Sequence, residues 1–192
     1  MKNLKPILLL SLAFIFMGCD LVEELIEEEF DETITFDGEL EILEESAVSS
    51  TEDSINVETQ LGYYSIANDP DIASLIEDDN AEITKIKIDE IRYTYKDFEG
   101  NEEAVVVSAG FLMVGNMESK SSSLENGIAV ADADQRNLLF THRDDFSIIE
   151  SALLNGPYPT IGIQYFGTLS RNPVYFKVAI RVQVTVTIKA KI

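Results

Sequence analysis

The clearest pattern in the chain is a strict alternation of apolar and mostly polar residues near its end. From Val174 to Ile192, every second residue is apolar, and most of these residues are valine or isoleucine. A period of two, rich in β-branched residues, predicts one long strand with one face in the core and the other in water. Such one-sided burial is typical of antiparallel sheets.

Weaker alternation predicts two more strands upstream. Residues 34–42 alternate, with Asp37 and Gly38 as a candidate bulge. Residues 83–98 also alternate, but their apolar positions change parity near Asp89 and Glu90. Since a shift by one residue turns every following side chain to the other face, this change predicts a bulge or bend.

Two further strands complete the predicted sheets. The nearly continuous apolar run 104–114 predicts a central strand, joined to the strand before it by a hairpin turn at 99–101. Residues 159–168 predict a strand that a turn at 172–173 leads into the last one. Residues 33–192 are therefore expected to form a single all-β domain, an antiparallel β-sandwich.

Two short helices are expected to dock on this sandwich. Asp69 followed by Pro70 has the pattern of an N-cap and first helical residue. Asp144 is a candidate N-cap for a second helix, which Asn155 and Gly156 would end. Both helices are too short to be stable alone, so each must pack on the sheets.

The N-terminal residues have a different character. Lys2 and Lys5 precede the apolar stretch 7–17, which ends at Gly18-Cys19. Eleven helical residues span about 16 Å, about half of a bilayer's hydrocarbon core, which favours a secretory signal over a membrane span. The alternative is a plain secretory signal that ends near a cysteine by chance.

This segment resembles the lipobox of bacterial lipoproteins, in which a small residue precedes the cysteine that is acylated. Gly18 and Cys19 fit that pattern, whereas Phe16 and Met17 depart from its usual residues. The resemblance implies that residues 1–18 are a signal peptide, that Cys19 is the lipidation site, and that palmitate or another acyl chain anchors the protein to a membrane.

Residues 19–32 are expected to form an acidic tether between the lipid and the domain. Acidic residues directly after the cysteine resemble the surface-export signal of Bacteroidota lipoproteins, which implies an outer-membrane protein that faces outward. The alternatives are a plain solvated spacer, a lipoprotein that faces the periplasm, or inner-membrane retention, which Asp20 directly after the cysteine would imply in enteric bacteria. The acidity extends further, because residues 20–103 hold 28 acidic and 4 basic residues, whereas residues 104–192 hold 7 and 8.

Composition excludes several functions. A net charge of −21 disfavours nucleic acid as a partner, because phosphates must be neutralised by lysine and arginine. One cysteine and one histidine cannot build a structural zinc site. His142 has no nucleophile motif beside it, so we expect no catalytic residues and no enzyme activity.

Candidate binding residues are few. Asp132 and Asp134 are weak candidates for a Ca²⁺ site, but they complete no known calcium motif, and no cofactor is expected. The polar segment 115–127 is predicted to be a long loop that presents Ser121, Ser122 and Ser123, and Tyr158 is expected on a stiff turn. Both segments could equally be plain connections.

The sequence thus predicts a lipid-anchored envelope protein with a binding, adhesion or assembly role, whose partner is another envelope protein or a glycan. Two alternatives stay open. One is a pilus subunit, although the cleavage after an early arginine that is usual in such subunits would have to occur as late as Arg92. The other is a hydrolase that uses two of the many carboxylates.

Overall fold

The computed structural model describes residues 27–42, 55–76, 81–171 and 174–191. These residues form ten strands: β1 (Glu27–Glu41), β2 (Ile55–Glu58), β3 (Gly62–Ser65), β4 (Ala81–Gly100), β5 (Val105–Gly115), β6 (Glu118–Ser123), β7 (Ile128–Ala129), β8 (Phe140–His142), β9 (Thr160–Leu169) and β10 (Val174–Lys191). The α-helices are α1 (Pro70–Ile76), α2 (Val130–Gln135) and α3 (Ser147–Asn155), and a 3-10 turn covers Ile66–Asn68.

The strands form two antiparallel sheets that pack as a β-sandwich. The first sheet has the order β1-β10-β4-β8, and the second has the order β2-β9-β5-β6, with β3 also paired to β9 and β7 to β5. The predicted fold class is confirmed. The structure adds α2, a third α-helix that the sequence pattern did not predict.

A cluster of aromatic rings joins the two sheets in the core. The Tyr95 ring lies edge-on to Phe176 at 5.3 Å and to Tyr165 at 6.2 Å, and Tyr93 lies edge-on to Phe111 at 5.5 Å. The hydroxyls of Tyr95 and Tyr165 are 3.3 Å apart, so each buried hydroxyl has a partner. Burial raises the pKa of both phenols, which therefore stay neutral.

The long final strand is confirmed, and so is the predicted bulge opposite it. Every second residue of β10 from Val174 to Ile188 is buried. Gln183 lies opposite Glu90 and Val184 opposite Ile88, which leaves Asp89 as the extra residue. The bulge predicted at 37–38 is wrong, because β1 pairs with β10 without a break in register.

The first strand begins earlier than expected. The acidic tether was predicted to extend to residue 32, but β1 starts at Glu27, and residues 27–32 pair with the end of β10. Lysines on β10 offset the acidic side chains, since Lys189 Nζ lies 2.5 Å from Glu27 Oε2. Cys19 and the rest of the predicted signal and tether lie outside the described residues.

The predicted hairpin between β4 and β5 is wrong. The turn near Gly100 exists, but β4 belongs to the first sheet and β5 to the second, so the chain crosses between sheets there. β9 and β10 also lie in different sheets, and the turn predicted at 172–173 falls outside the described residues. The residues near Gly100 specify a turn, whereas burial of the apolar faces of the strands on either side of it decides which strands pair.

At the beginning of α1 and of α3, an acidic side chain accepts a hydrogen bond from a backbone N–H group. Asp69 Oδ1 accepts a bond from the Asp71 N–H at 3.0 Å, as the predicted N-cap of α1 requires. At α3 the Ser147 N–H donates to Asp145 Oδ1 at 3.0 Å, so the expectation that Asp144 caps this helix is wrong. Asp144 instead accepts a hydrogen bond from the Ser122 hydroxyl.

Candidate functional site

The sandwich has two outer faces of contrasting chemistry, and the outer face of the first sheet is charged. Two adjoining depressions of about 530 and 570 Å³ lie on it and share Arg92. Beside Arg92, the Arg181 guanidinium donates to both carboxylate oxygens of Asp37, at 2.6 and 2.9 Å. The bond from Arg181 lowers the pKa of Asp37, so this pair stays charged at neutral pH.

A second ion-pair group on this face surrounds Glu90, whose carboxylate is almost fully buried. Arg143 donates to Glu90 Oε2 at 2.6 Å, and Arg92 lies 2.5 Å from Glu90 Oε1. The hydrogen bond from Arg143 lowers the pKa of Glu90. Arg181 thus links β10 to β1, and Arg143, which follows β8, is tied to β4 through Glu90, whereas Arg92 pairs with Glu90 on its own strand.

The outer face of the second sheet carries almost no charge. Its outward positions on β3, β5, β6 and β9 alternate with buried ones, and none of them is charged. We call these residues the neutral face: Tyr63, Val107, Gly110, Leu112, Val114, Ser119, Ser121, Ser123, Gly162, Gln164, Phe166 and Thr168. On β2, Asn56 and the carboxylate of Glu58 mark its margin.

Two aromatic rings of the neutral face lie over glycines of the neighbouring strands. A Cβ atom on Gly110 would lie 2.5 Å from the Phe166 ring, and one on Gly162 would lie 3.1 Å from the Tyr63 ring. The glycines therefore let the rings rest against the backbone, as aromatic residues do beside glycine in sheets. Tyr63 remains 70% exposed and Phe166 37% exposed, so both rings are accessible to a ligand.

Polar groups lie beside the rings and between them. Ser119, Ser121 and Ser123 are exposed in a row on β6, directly opposite Val114, Leu112 and Gly110 of β5. On β9, between Gly162 and Phe166, Gln164 Nε2 donates to the Thr59 carbonyl at 2.7 Å, which fixes its side chain. The face thus combines two accessible rings with rows of hydroxyl groups and an oriented amide.

The structure places the four predicted binding residues differently. The long loop predicted over 115–127 is wrong, because β5 turns at Asn116-Met117 into β6, which carries all three serines. Ser121 and Ser123 lie on the neutral face, whereas Ser122 is buried and donates to Asp144 Oδ2 at 2.7 Å. Tyr158 is 75% exposed. It stands two residues before Thr160, which pairs with Ser65 of β3, the strand that also holds Tyr63.

Asp132 and Asp134 lie in α2, where other groups engage them. Asp132 Oδ2 is 3.1 Å from Arg136, one helical turn later. Asp134 Oδ2 accepts a hydrogen bond from the Phe98 N–H at 3.2 Å, which ties α2 to β4. Within the described ranges, no three His, Cys, Asp or Glu side chains come together to hold a metal ion.

The single histidine is structural in its surroundings. His142 lies on β8 opposite Ile91, and its ring is edge-on to Phe146 at 6.2 Å. Burial lowers the pKa of His142, and its Nε2 atom is buried without a hydrogen-bond partner among the described residues.

No helix in the described part of the chain is long and apolar enough to cross a membrane.

Sequence reasoning missed Tyr63 and Phe166, although a signal for Phe166 existed. In the run 159–168, Ile161, Ile163 and Tyr165 alternate inward, which leaves Phe166 as an aromatic residue on the outward parity. Its position over a glycine of another strand depends on the register between β5 and β9, which no local pattern reveals.

Comparisons with known proteins add no functional assignment. No family model matches the chain, and no curated protein matches it significantly. Among solved structures, it is similar to the BFDV capsid protein, with 10% identity, 87% of this chain and 100% of that chain covered, and a TM-score of 0.32. It is also similar to a structure of infectious bursal disease virus Gt strain, with 8% identity, coverage of 86% and 38%, and a TM-score of 0.33. At such low scores we base no argument on these likenesses.

Proposed function

We propose that this protein is a lipid-anchored envelope protein, attached through Cys19 to the outer membrane and facing outward, that binds a partner through its neutral face without catalysis. One observation carries the proposal: a chain with a net charge of −21 keeps the outward positions of four strands in one sheet, β3, β5, β6 and β9, free of charged side chains and places two accessible aromatic rings among them.

Physical chemistry supports a binding role for such a face. Charged residues are depleted and tyrosine and phenylalanine enriched where proteins bind partners, because each buried charge must lose its hydration. Solubility would favour charged residues at these outward positions, as the first sheet has them at Asp37, Lys96 and Arg181. The contrast between the two faces indicates that the second serves another purpose.

Cysteine labelling on cells tests the proposal. The chain has one cysteine, Cys19, whose sulfur would carry the lipid in the lipoprotein and so would not react with a maleimide. Ser121→Cys places a thiol on the neutral face, and Glu102→Cys places a matched exposed thiol on the turn between the sheets. We expect a polar maleimide to label Ser121→Cys several-fold more slowly on native cells than in purified protein, because the partner covers it.

The control variant decides how the result is interpreted. Glu102→Cys should be labelled at the same rate on cells and in purified protein. Equal rates for Ser121→Cys in both settings would contradict a partner on the neutral face, and an equal slowing of both variants would show only general shielding by the envelope, which also contradicts the proposal.

A further inference from the structure

We infer that the neutral face binds an uncharged polysaccharide chain. This inference rests on the proposed function, because it takes the neutral face to be the binding surface. Three observations carry it: the charge on the face, the chemistry of its exposed groups, and the spacing of its two rings.

The charge disfavours polyanionic ligands. None of the twelve residues that define the neutral face is lysine or arginine, so the face offers no partner to phosphate, sulfate or uronate groups. The net charge of −21 repels polyanions from the whole molecule, and Glu58 at the margin adds to this locally. A neutral ligand avoids both costs.

The exposed groups match the two sides of a sugar ring. A pyranose has a C–H face that packs on an aromatic ring and an edge of hydroxyl groups that both donate and accept hydrogen bonds. Tyr63 and Phe166 supply accessible rings, and Ser119, Ser121 and Ser123 supply a row of hydroxyls that also donate and accept.

The spacing of the rings favours a polymer over a single sugar. The Tyr63 ring lies over Gly162 of β9, and Phe166 follows four residues later on the same strand, with its ring over Gly110 of β5. Four residues of strand measure about 13 Å at roughly 3.3 Å each, so the two rings are separated by about that distance along β9. One sugar residue cannot contact both rings, whereas an extended oligosaccharide that follows β9 contacts both.

A protein partner fits these residues less well. Stable protein interfaces place large apolar anchors in fully desolvated pockets at their centre. The central apolar residues here, Leu112 and Val114, are already half-buried within their own sheet, and serines line the β6 side. Apart from Val107 near the start of β5, which is 50% exposed, the face offers flat rings and hydroxyls in place of an apolar protrusion or pocket.

Native affinity electrophoresis of the purified protein tests the inference. The gels contain hydroxyethyl cellulose, glycogen or galactomannan as uncharged polysaccharides, and alginate as the polyanionic comparison. We expect at least one uncharged polysaccharide to slow migration and alginate to have no effect. Tyr63→Ala and Phe166→Ala should each weaken the effect about tenfold, as the loss of one stacking contact predicts.

Two variants control for folding and for aromatic residues in general. Phe166→Tyr keeps a ring over Gly110 and should retain binding, and Tyr175→Ala removes a half-buried ring from the outward side of β10 in the first sheet and should also retain it. Circular dichroism confirms that each variant is folded.

Three results would overturn the inference: no retardation by any uncharged polysaccharide, retardation by alginate alone, or retardation that Tyr63→Ala and Phe166→Ala leave unchanged. Protection of Ser121→Cys on cells together with any of these results would keep the neutral face as a binding surface and assign it to a protein partner. Loss of that protection would remove the proposed function itself.

Discussion

The loss of stability caused by a carboxylate at a core position tests which residues of β10 face the core. Val182 is fully buried in this central strand, between Phe36 of β1 and Ile91 of β4. The adjacent residue, Gln183, points to the charged outer face opposite Glu90, in a depression where the cations Lys87, Arg92 and Arg143 outnumber the carboxylates of Asp89 and Glu90. We therefore compare Val182→Asp with Gln183→Asp, which add the same group one residue apart.

The expected cost follows from what each position loses. Val182→Asp removes a buried side chain worth about 1.5–3 kcal/mol. It also buries a carboxyl group without a partner, which adds about 1–3 kcal/mol even when that group is protonated. The total of about 2.5–6 kcal/mol is a large part of the 5–15 kcal/mol typical of a domain. Gln183→Asp should cost less than about 1 kcal/mol, because water and nearby cations solvate the charge.

Urea unfolding followed by far-UV circular dichroism measures both changes, since the chain has no tryptophan to report by fluorescence. The midpoint of Val182→Asp should fall by at least about 1 M, and that of Gln183→Asp should barely move. If Val182→Asp does not fold, Val182→Thr buries a hydroxyl of the same shape and should still cost about 1–3 kcal/mol.

The pH dependence gives a second check on the same substitution. Burial raises the pKa of the introduced carboxyl above its unfolded value of about 3.9, so the destabilisation should shrink as pH falls. The slope should approach about 1.4 kcal/mol per pH unit between the two pKa values. Equal midpoints for the two aspartate variants, or a deficit that grows on acidification, would refute the assignment of Val182 to the core.

Other predictions concern the anchor, an ion pair and the histidine. Cys19→Ser should abolish incorporation of labelled palmitate and membrane fractionation; unchanged labelling would contradict the lipoprotein hypothesis. Glu90→Gln should lower Tm at neutral pH, because the lowered pKa of Glu90 means that its ionised form stabilises the fold. The difference in Tm between this variant and the natural protein should vanish as pH falls below 4.5 and through the folded pKa of Glu90. A difference in Tm that stays constant with pH would refute the stabilising role of the ionised form. His142→Asn should reduce the loss of stability between pH 7 and pH 5, because a lowered histidine pKa means that stability present above pH 6.5 is lost as pH falls. Curves of Tm against pH that run parallel for the variant and the natural protein would contradict a lowered pKa of His142.

The fold class was accessible from the sequence because it depends on local periodicity. The alternation from Val174 onward predicts which residues of β10 are buried without any knowledge of its neighbours. The parity change near Asp89 predicts a bulge in the same way, since a side-chain period of two makes a single extra residue visible in the pattern. The N-cap of α1 at Asp69 is also a local signal.

Strand pairing and the binding surface were decided by the tertiary structure. The residues between β4 and β5 specify a turn, but both strands carry apolar faces that must be buried, and only packing of the two sheets assigns them to opposite layers. Residues 27–32, five of which are acidic, look like part of a solvated tether, yet pairing with β10 and its lysines makes them strand. The neutral face exists only because the strand register places Phe166 beside Gly110 and Tyr63 beside Gly162. The two residues of each pair lie on separate strands and far apart along the chain. The alternation that predicts a strand lies within that strand, whereas the surface that combines side chains from several strands depends on pairing between residues distant in sequence. For this physical reason the sequence alone determined the sandwich and not the site.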